Sequence, residues 1–156
     1  MICFDKGNDR FNFRIAGVAI NDNKILLHKN INDSFWALPG GRNEFNENSE
    51  LTLIREMKEE IGETIGIEKL LWVIENFLKF SNKNFHEISL IYLMDLDKCT
   101  YIKEKNEFDG IEKEVDLLYK WFDLDKIQEV ELYPACLKTR LNNLPNNIEH
   151  IIHYDD

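Results

Sequence analysis

The chain has 156 residues, 44% of them hydrophobic and 12% aromatic, which is enough for one domain with a sizeable core. Its formal charge of −10, from 19 Lys and Arg against 29 Asp and Glu, speaks against a nucleic-acid polymer or an anionic membrane surface held by bulk charge. The acidity is concentrated, because residues 44–63 carry −5 and residues 104–116 carry −4.

Cys3, Cys99 and Cys136 are odd in number, widely spaced and without a C-x-x-C pair, so they predict idle thiols in a reducing compartment, not a disulfide framework or a zinc site. Met1 to Asp5 shows no basic region leading into an apolar one, and runs such as Leu90–Met94 are too short to cross a bilayer. No membrane contact and a cytoplasmic location are expected. No repeat or linker divides the chain, so a single domain over residues 1–156 is expected.

In chain order, Phe11 to Ile20 and Lys24 to His28 predict a strand pair across the turn Asn21-Asp22-Asn23. Trp36 to Gly41 reads as a short extended piece in which Pro39 withholds a ladder donor and Gly40-Gly41 permit a tight turn. A helix is expected from the N-cap Asn48, with Glu50 in its first turn, to a stop at Gly62. Leu70–Phe80 and Phe85–Met94 predict a long hairpin around Ser81–Asn84, and Leu117–Phe122 predicts another strand. Pro134 to Leu144 predicts a helix and Ile148–Tyr154 a closing strand. Interleaved helices and strands of this kind define an α/β or α+β protein with a mixed sheet.

On a helix turning about 100° per residue, Glu56, Glu59 and Glu60 share one face, while Ile54, Met57 and Ile61 gather on the far side. Arg55 is the one basic residue placed to offset them, four before Glu59. Clustered carboxylates of this kind suit a hard divalent cation, Mg²⁺ or Mn²⁺, which would activate a water and neutralise phosphate charge. Taken alone, the three glutamates read more readily as a solvated acidic face than as a cation site.

The surrounding spacing is more specific. Gly41 is followed by Glu47, then by Arg55-Glu56, then by Glu59-Glu60, Ile61 and Gly62. This pattern over residues 41–63 resembles the Nudix box, the 23-residue signature of the Nudix hydrolases, with a departure at its last place, usually apolar and here Glu63. Trp36-Ala-Leu-Pro-Gly-Gly41 looks like the lead-in to such a box. Glu75-Asn-Phe77, Phe85-His-Glu87 and Tyr119-Lys-Trp121-Phe resemble later strands of the family, and Leu132-Tyr-Pro134 the approach to its final helix.

The resemblance implies a Nudix fold, an α/β/α sandwich around a mixed sheet, and hydrolysis of a nucleoside diphosphate linked to another moiety. It implies metal ligation by Glu56, Glu59, Glu60 and the backbone carbonyl of Gly40 or Gly41, with Glu56 orienting or deprotonating the attacking water and Arg55 holding Glu47 or Glu56. In several such enzymes a later loop adds a ligand or base, for which Glu112 and Glu114 are candidates. Glu87 is another, since His86 and Glu87 point to opposite faces of a strand. The marks of the ADP-ribose and dinucleoside polyphosphate subclasses, a proline or a tyrosine after the box, are replaced by Leu78 and Phe80, so a nucleoside triphosphate or related derivative is the expected substrate. The competing expectation is a Nudix-fold module that binds a nucleotide without turnover. The intact Arg55, Glu56, Glu59 and Glu60 speak against it. Homodimers are common among such proteins, although no residue pattern here marks an interface.

Overall fold

A computed structural model describes residues 1–155. Two sheets and one α-helix make up its regular structure. The larger sheet combines β1 (Cys3–Lys6), β2 (Asp9–Val18), β7 (Lys83–Asp95), β6 (Gly66–Phe80) and β10 (Glu149–Asp155) in that order, with β5 (Gly40–Arg42) paired to β2. The smaller one runs β3 (Ile20–Asn21), β4 (Lys24–Asn30), β9 (Leu117–Asp123) and β8 (Glu107–Asp109). The larger sheet is mixed, since β2 runs parallel to β7 and β10 parallel to β6. Among the described residues, no helix is long and apolar enough to cross a membrane.

The predicted hairpins form with a shift of partner. Asp22 and Asn23 both adopt positive φ, as a two-residue hairpin turn requires, but the strands they join are β3 and β4. The longer β2 passes into the other sheet. Ser81 and Asn82 make the second positive-φ turn, so that β6 and β7 extend one step further than the polar run Ser81–Asn84 suggested.

Alternation along β2 separates two cores. Phe13 and Ile15 face α1 (Ser49–Ile61) and join Leu53, Met57, Ile61, Tyr92 and Met94. Ala16 and Val18 face the other way, towards Trp72, Ile74, Ile91 and Ile151. That second face is covered by Leu124, Ile127, Leu132, Leu137 and Leu141, which come from 3-10 turns at Leu124–Glu129 and Ala135–Thr139 and the chain around them. The helix expected from Pro134 to Leu144 is therefore replaced by one 3-10 turn. Asn142, Asn143 and Pro145 follow it closely, and one turn without good continuing residues does not propagate. The fold is an α/β layered structure whose second outer layer is made of short turns.

Candidate active site

Helix α1 begins where Asn48 Oδ1 accepts the Leu51 amide at 3.0 Å and ends at Gly62, whose φ of 73° only glycine adopts freely and whose amide bonds Lys58 O. Leu53, Met57 and Ile61 are fully buried, which aims the remaining face at β5 and the smaller sheet. The bond joining β2 to β5 sets Gly41 opposite Ile15. A methyl group on Gly41 would fall on the Glu56 carboxylate, so glycine is what lets that carboxylate lie against the strand.

Arg55 organises one end of the site. Its Nε and Nη2 donate to the two oxygens of Glu47 at 2.8 and 3.0 Å, and its Nη1 donates to Glu56 at 2.8 Å and to Glu59 at 3.3 Å. Thr52 Oγ1 also donates to Glu47 at 2.7 Å and itself accepts from Asn43 Nδ2. The guanidinium therefore holds Glu47 down to a pKa of about 2, with Thr52 assisting, and the bond to Glu47 raises that of Arg55 in turn.

Glu60 organises the other end. It is 7% exposed, and Tyr119 Oη donates to its Oε2 at 2.6 Å. Tyr119, fully buried, meets His28 Nδ1 at 3.4 Å, and His28 Nε2 meets Arg14 Nη2 at 3.4 Å. Arg14 only donates, so Nε2 accepts and the proton belongs on Nδ1, from which it points to the Tyr119 oxygen. Burial, helped by Arg14, lowers the His28 pKa to about 3 and keeps the ring neutral. The chain Arg14, His28, Tyr119, Glu60 then has one direction of donation throughout.

Glu56 and Glu60 lie within hydrogen-bonding reach of each other, and burial raises both pKa values, that of Glu60 to about 8. For Glu56 the raising outweighs the opposing guanidinium of Arg55. Two acids one turn apart, buried and disfavoured as anions, describe a place that a hard cation would complete. Their carboxylate oxygens are of the kind that Mg²⁺ or Mn²⁺ accepts, and Gly41 packs directly against Glu56.

The expected residues are not all gathered. Glu59 has half its side chain exposed and turns to Arg55. Among the described residues no three His, Cys, Asp or Glu side chains stand together in ligating arrangement. Glu112 and Glu114 are exposed on the 110–116 loop, which is tied to the helix end by Ile111 N donating to Glu60 O at 2.8 Å. Glu87 bonds Asn12 and Ser89 on the sheet face opposite α1, away from the helix glutamates, while exposed His86 stacks on Phe77. Glu63, the departure from the signature, is buried and accepts the Thr100 amide at 2.8 Å. Arg14, His28 and Tyr119 were missed in the sequence. One signal for Tyr119 was available, because the alternation Leu117, Tyr119, Trp121 turns its hydroxyl inward, where it needs a partner.

Fold and site together define a hydrolase-type glutamate helix set against a mixed sheet. The sequence pattern of the NUDIX domain family matches residues 12–139, and the chain belongs to that family, the Nudix hydrolases. It is 36% identical over 85 residues to an ADP-ribose pyrophosphatase of Methanocaldococcus jannaschii, a match covering 53% of this chain and 49% of that relative. The match thus spans only about half of that relative's length. It is 27% identical over 143 residues to an 8-oxo-dGTP diphosphatase of Buchnera aphidicola, covering 89% and 88% of the two chains. The crystal structure of a MutT NUDIX hydrolase from Burkholderia pseudomallei aligns with a TM-score of 0.55 at 26% identity, over 74% of this chain and 84% of that one.

Proposed function

We propose that the protein is a divalent-cation-dependent hydrolase of a nucleoside diphosphate linked to a further group, with a nucleoside triphosphate or related derivative as substrate. The observation that carries this reading is the pairing of part-buried Glu56, lying against Gly41, with buried Glu60 one helical turn on. Mg²⁺ or Mn²⁺ bound there would offset the pyrophosphate charge and ease deprotonation of the attacking water.

The residues divide the remaining work. Glu56, Glu59, Glu60 and a carbonyl of Gly40 or Gly41 would hold the cation. Glu56 accepts the proton of the water as the water oxygen attacks phosphorus, and the bridging P–O bond breaks with its electrons leaving on the departing phosphate. Arg55 keeps Glu56 and Glu47 in place, and Glu47 anchors Arg55. The positive charge of Arg14 acts on Glu60 and favours its ionised form. Glu112 or Glu114 adds an acidic group if the 110–116 loop closes over the site. The names of two relatives, an ADP-ribose pyrophosphatase and an 8-oxo-dGTP diphosphatase, agree in bond type and differ in substrate.

The test is phosphate or pyrophosphate release from a nucleotide panel with and without Mg²⁺. Glu60→Gln is expected to lower turnover by about a hundredfold or more, because it removes a charge at the position where a cation would bind. Equal release by the wild type and the variant would overturn the reading.

A further inference from the structure

The sheet face opposite α1 carries a polar row that none of the steps above uses. Strand register sets Asn12 on β2 beside Glu87 on β7, and Glu87 beside Asn76 on β6, with Arg14 and Ser89 as the next pair along the same face. Asn12 and Asn76 are only 4% and 3% exposed, and the Oδ1 atom of each is buried with no hydrogen-bond partner. Folded proteins seldom leave such a carbonyl without a donor, and here there are two in one row. Glu87, between them, is only half-buried, so the row opens outward there.

Its chemistry is one-sided. Asn12 Nδ2 donates to Glu87 Oε2 at 2.6 Å and Ser89 Oγ donates to Glu87 Oε1 at 3.0 Å. A carboxylate only accepts, so the Asn12 amide cannot be turned round, and its free group is the carbonyl oxygen. What Asn12 and Glu87 offer a ligand is therefore acceptors, Asn12 Oδ1 and the remaining lone pairs of Glu87, while the Asn76 amide beside them can present either its oxygen or its nitrogen. Aromatic rings stand on the same face, where Phe80 and Phe85 alternate in step with Asn76 and Glu87, and Phe35 packs edge-on against Phe80 and Tyr133.

The row is linked through Arg14 to the side chains around Glu60. Arg14 follows Asn12 by two residues on β2, roughly 7 Å of strand, and its guanidinium bonds Leu38 O at 2.9 Å, meets His28 and acts on Glu60. Arg14 thus connects the row to the side chains that bond Glu60.

We propose that the Asn12, Glu87 and Asn76 row receives the ring of the substrate and selects a heterocycle bearing an exocyclic amino donor over one with a carbonyl or a bare carbon at that place. A carbonyl would meet Glu87 oxygen to oxygen, and a bare carbon would leave the acceptors without a donor. This rests on the nucleotide reading of the previous section and gives that reading a substrate class.

Equilibrium binding to the intact protein, measured calorimetrically with Ca²⁺ in place of the activating ion, tests it with two pairs that each differ at one amino group, CTP against UTP and GTP against inosine triphosphate. The amino-bearing member should bind about ten- to a hundredfold more tightly in the pair that fits the pocket. Asn12→Leu and the milder Glu87→Gln should each collapse that ratio, with far-UV circular dichroism confirming the fold. Equal binding within both pairs, an undiminished ratio in folded variants, or no binding of any of the four overturns the inference. Hydrolysis of the same nucleotides with Mg²⁺ separates the two claims. Discrimination in binding without hydrolysis would remove the hydrolase reading and keep the row's role, while hydrolysis without discrimination would do the reverse.

Discussion

At the scale of single residues, Glu60 is where protein stability and the proposed cation site meet. In the folded chain burial raises its pKa to about 8, against 4.5 for an ordinary glutamate. An acid whose pKa is raised on folding favours the fold most below the ordinary value, and that contribution is lost as pH rises through the raised one. In a chelator the melting temperature should therefore fall between about pH 4.5 and pH 8, and Mg²⁺ should restore part of the loss at pH 8. A flat melting profile in chelator across that range would show that Glu60 is ionised at no cost. Tyr119 is coupled to the same group. Tyr119→Phe removes the only side-chain hydroxyl bonded to Glu60, and it is expected to weaken Mn²⁺ affinity, read by electron paramagnetic resonance, about tenfold or more. A purely structural role would lower the melting temperature and leave Mn²⁺ affinity alone.

At the scale of elements, the sequence marked α1 well and the layer opposite it poorly. Asn48, Glu50 and Gly62 occupy the cap and first-turn positions expected of them because capping is local chemistry, read from a few adjacent residues. Asn48→Ala should cost about 1 kcal/mol in denaturant unfolding with unchanged turnover per folded molecule, since its side chain serves only the Leu51 amide. The helical expectation for Pro134 to Leu144 failed because apolar spacing there reports burial against Trp72 and Ile151 without specifying how the backbone coils to achieve it. Glu60 shows the same limit inside a well-read helix. Its position on the wheel was clear, but its burial comes from Tyr119 on a strand 59 residues away.

At the scale of the whole molecule, the signature residues were legible because they sit within one loop and one helix, whereas the polar row was not. Asn12, Asn76 and Glu87 are unremarkable in their own segments and become a group only through the β2–β7 and β7–β6 registers. His28 and Arg14 join the site in the same way, from the two different sheets. The acidity noted in the composition is partly explained by this arrangement. Of the charge in residues 44–63, Glu47, Glu56 and Glu59 are bound to Arg55, and Glu60 is buried among polar partners.

The parallel pairing of β10 with β6 has a kinetic side. Glu149 through Asp155 align with Trp72 through Leu78, so the larger sheet gains this edge strand only once residues 149–155 have been synthesised. Contacts of such sequence separation close slowly, since a long loop must be ordered before any of them forms. The Trp72 indole N–H donates to Glu149 at 3.0 Å at the start of that pairing, and its ring is fully buried. The seam between these two strands is therefore a late-closing part of the sheet, with the Trp72 indole buried along it.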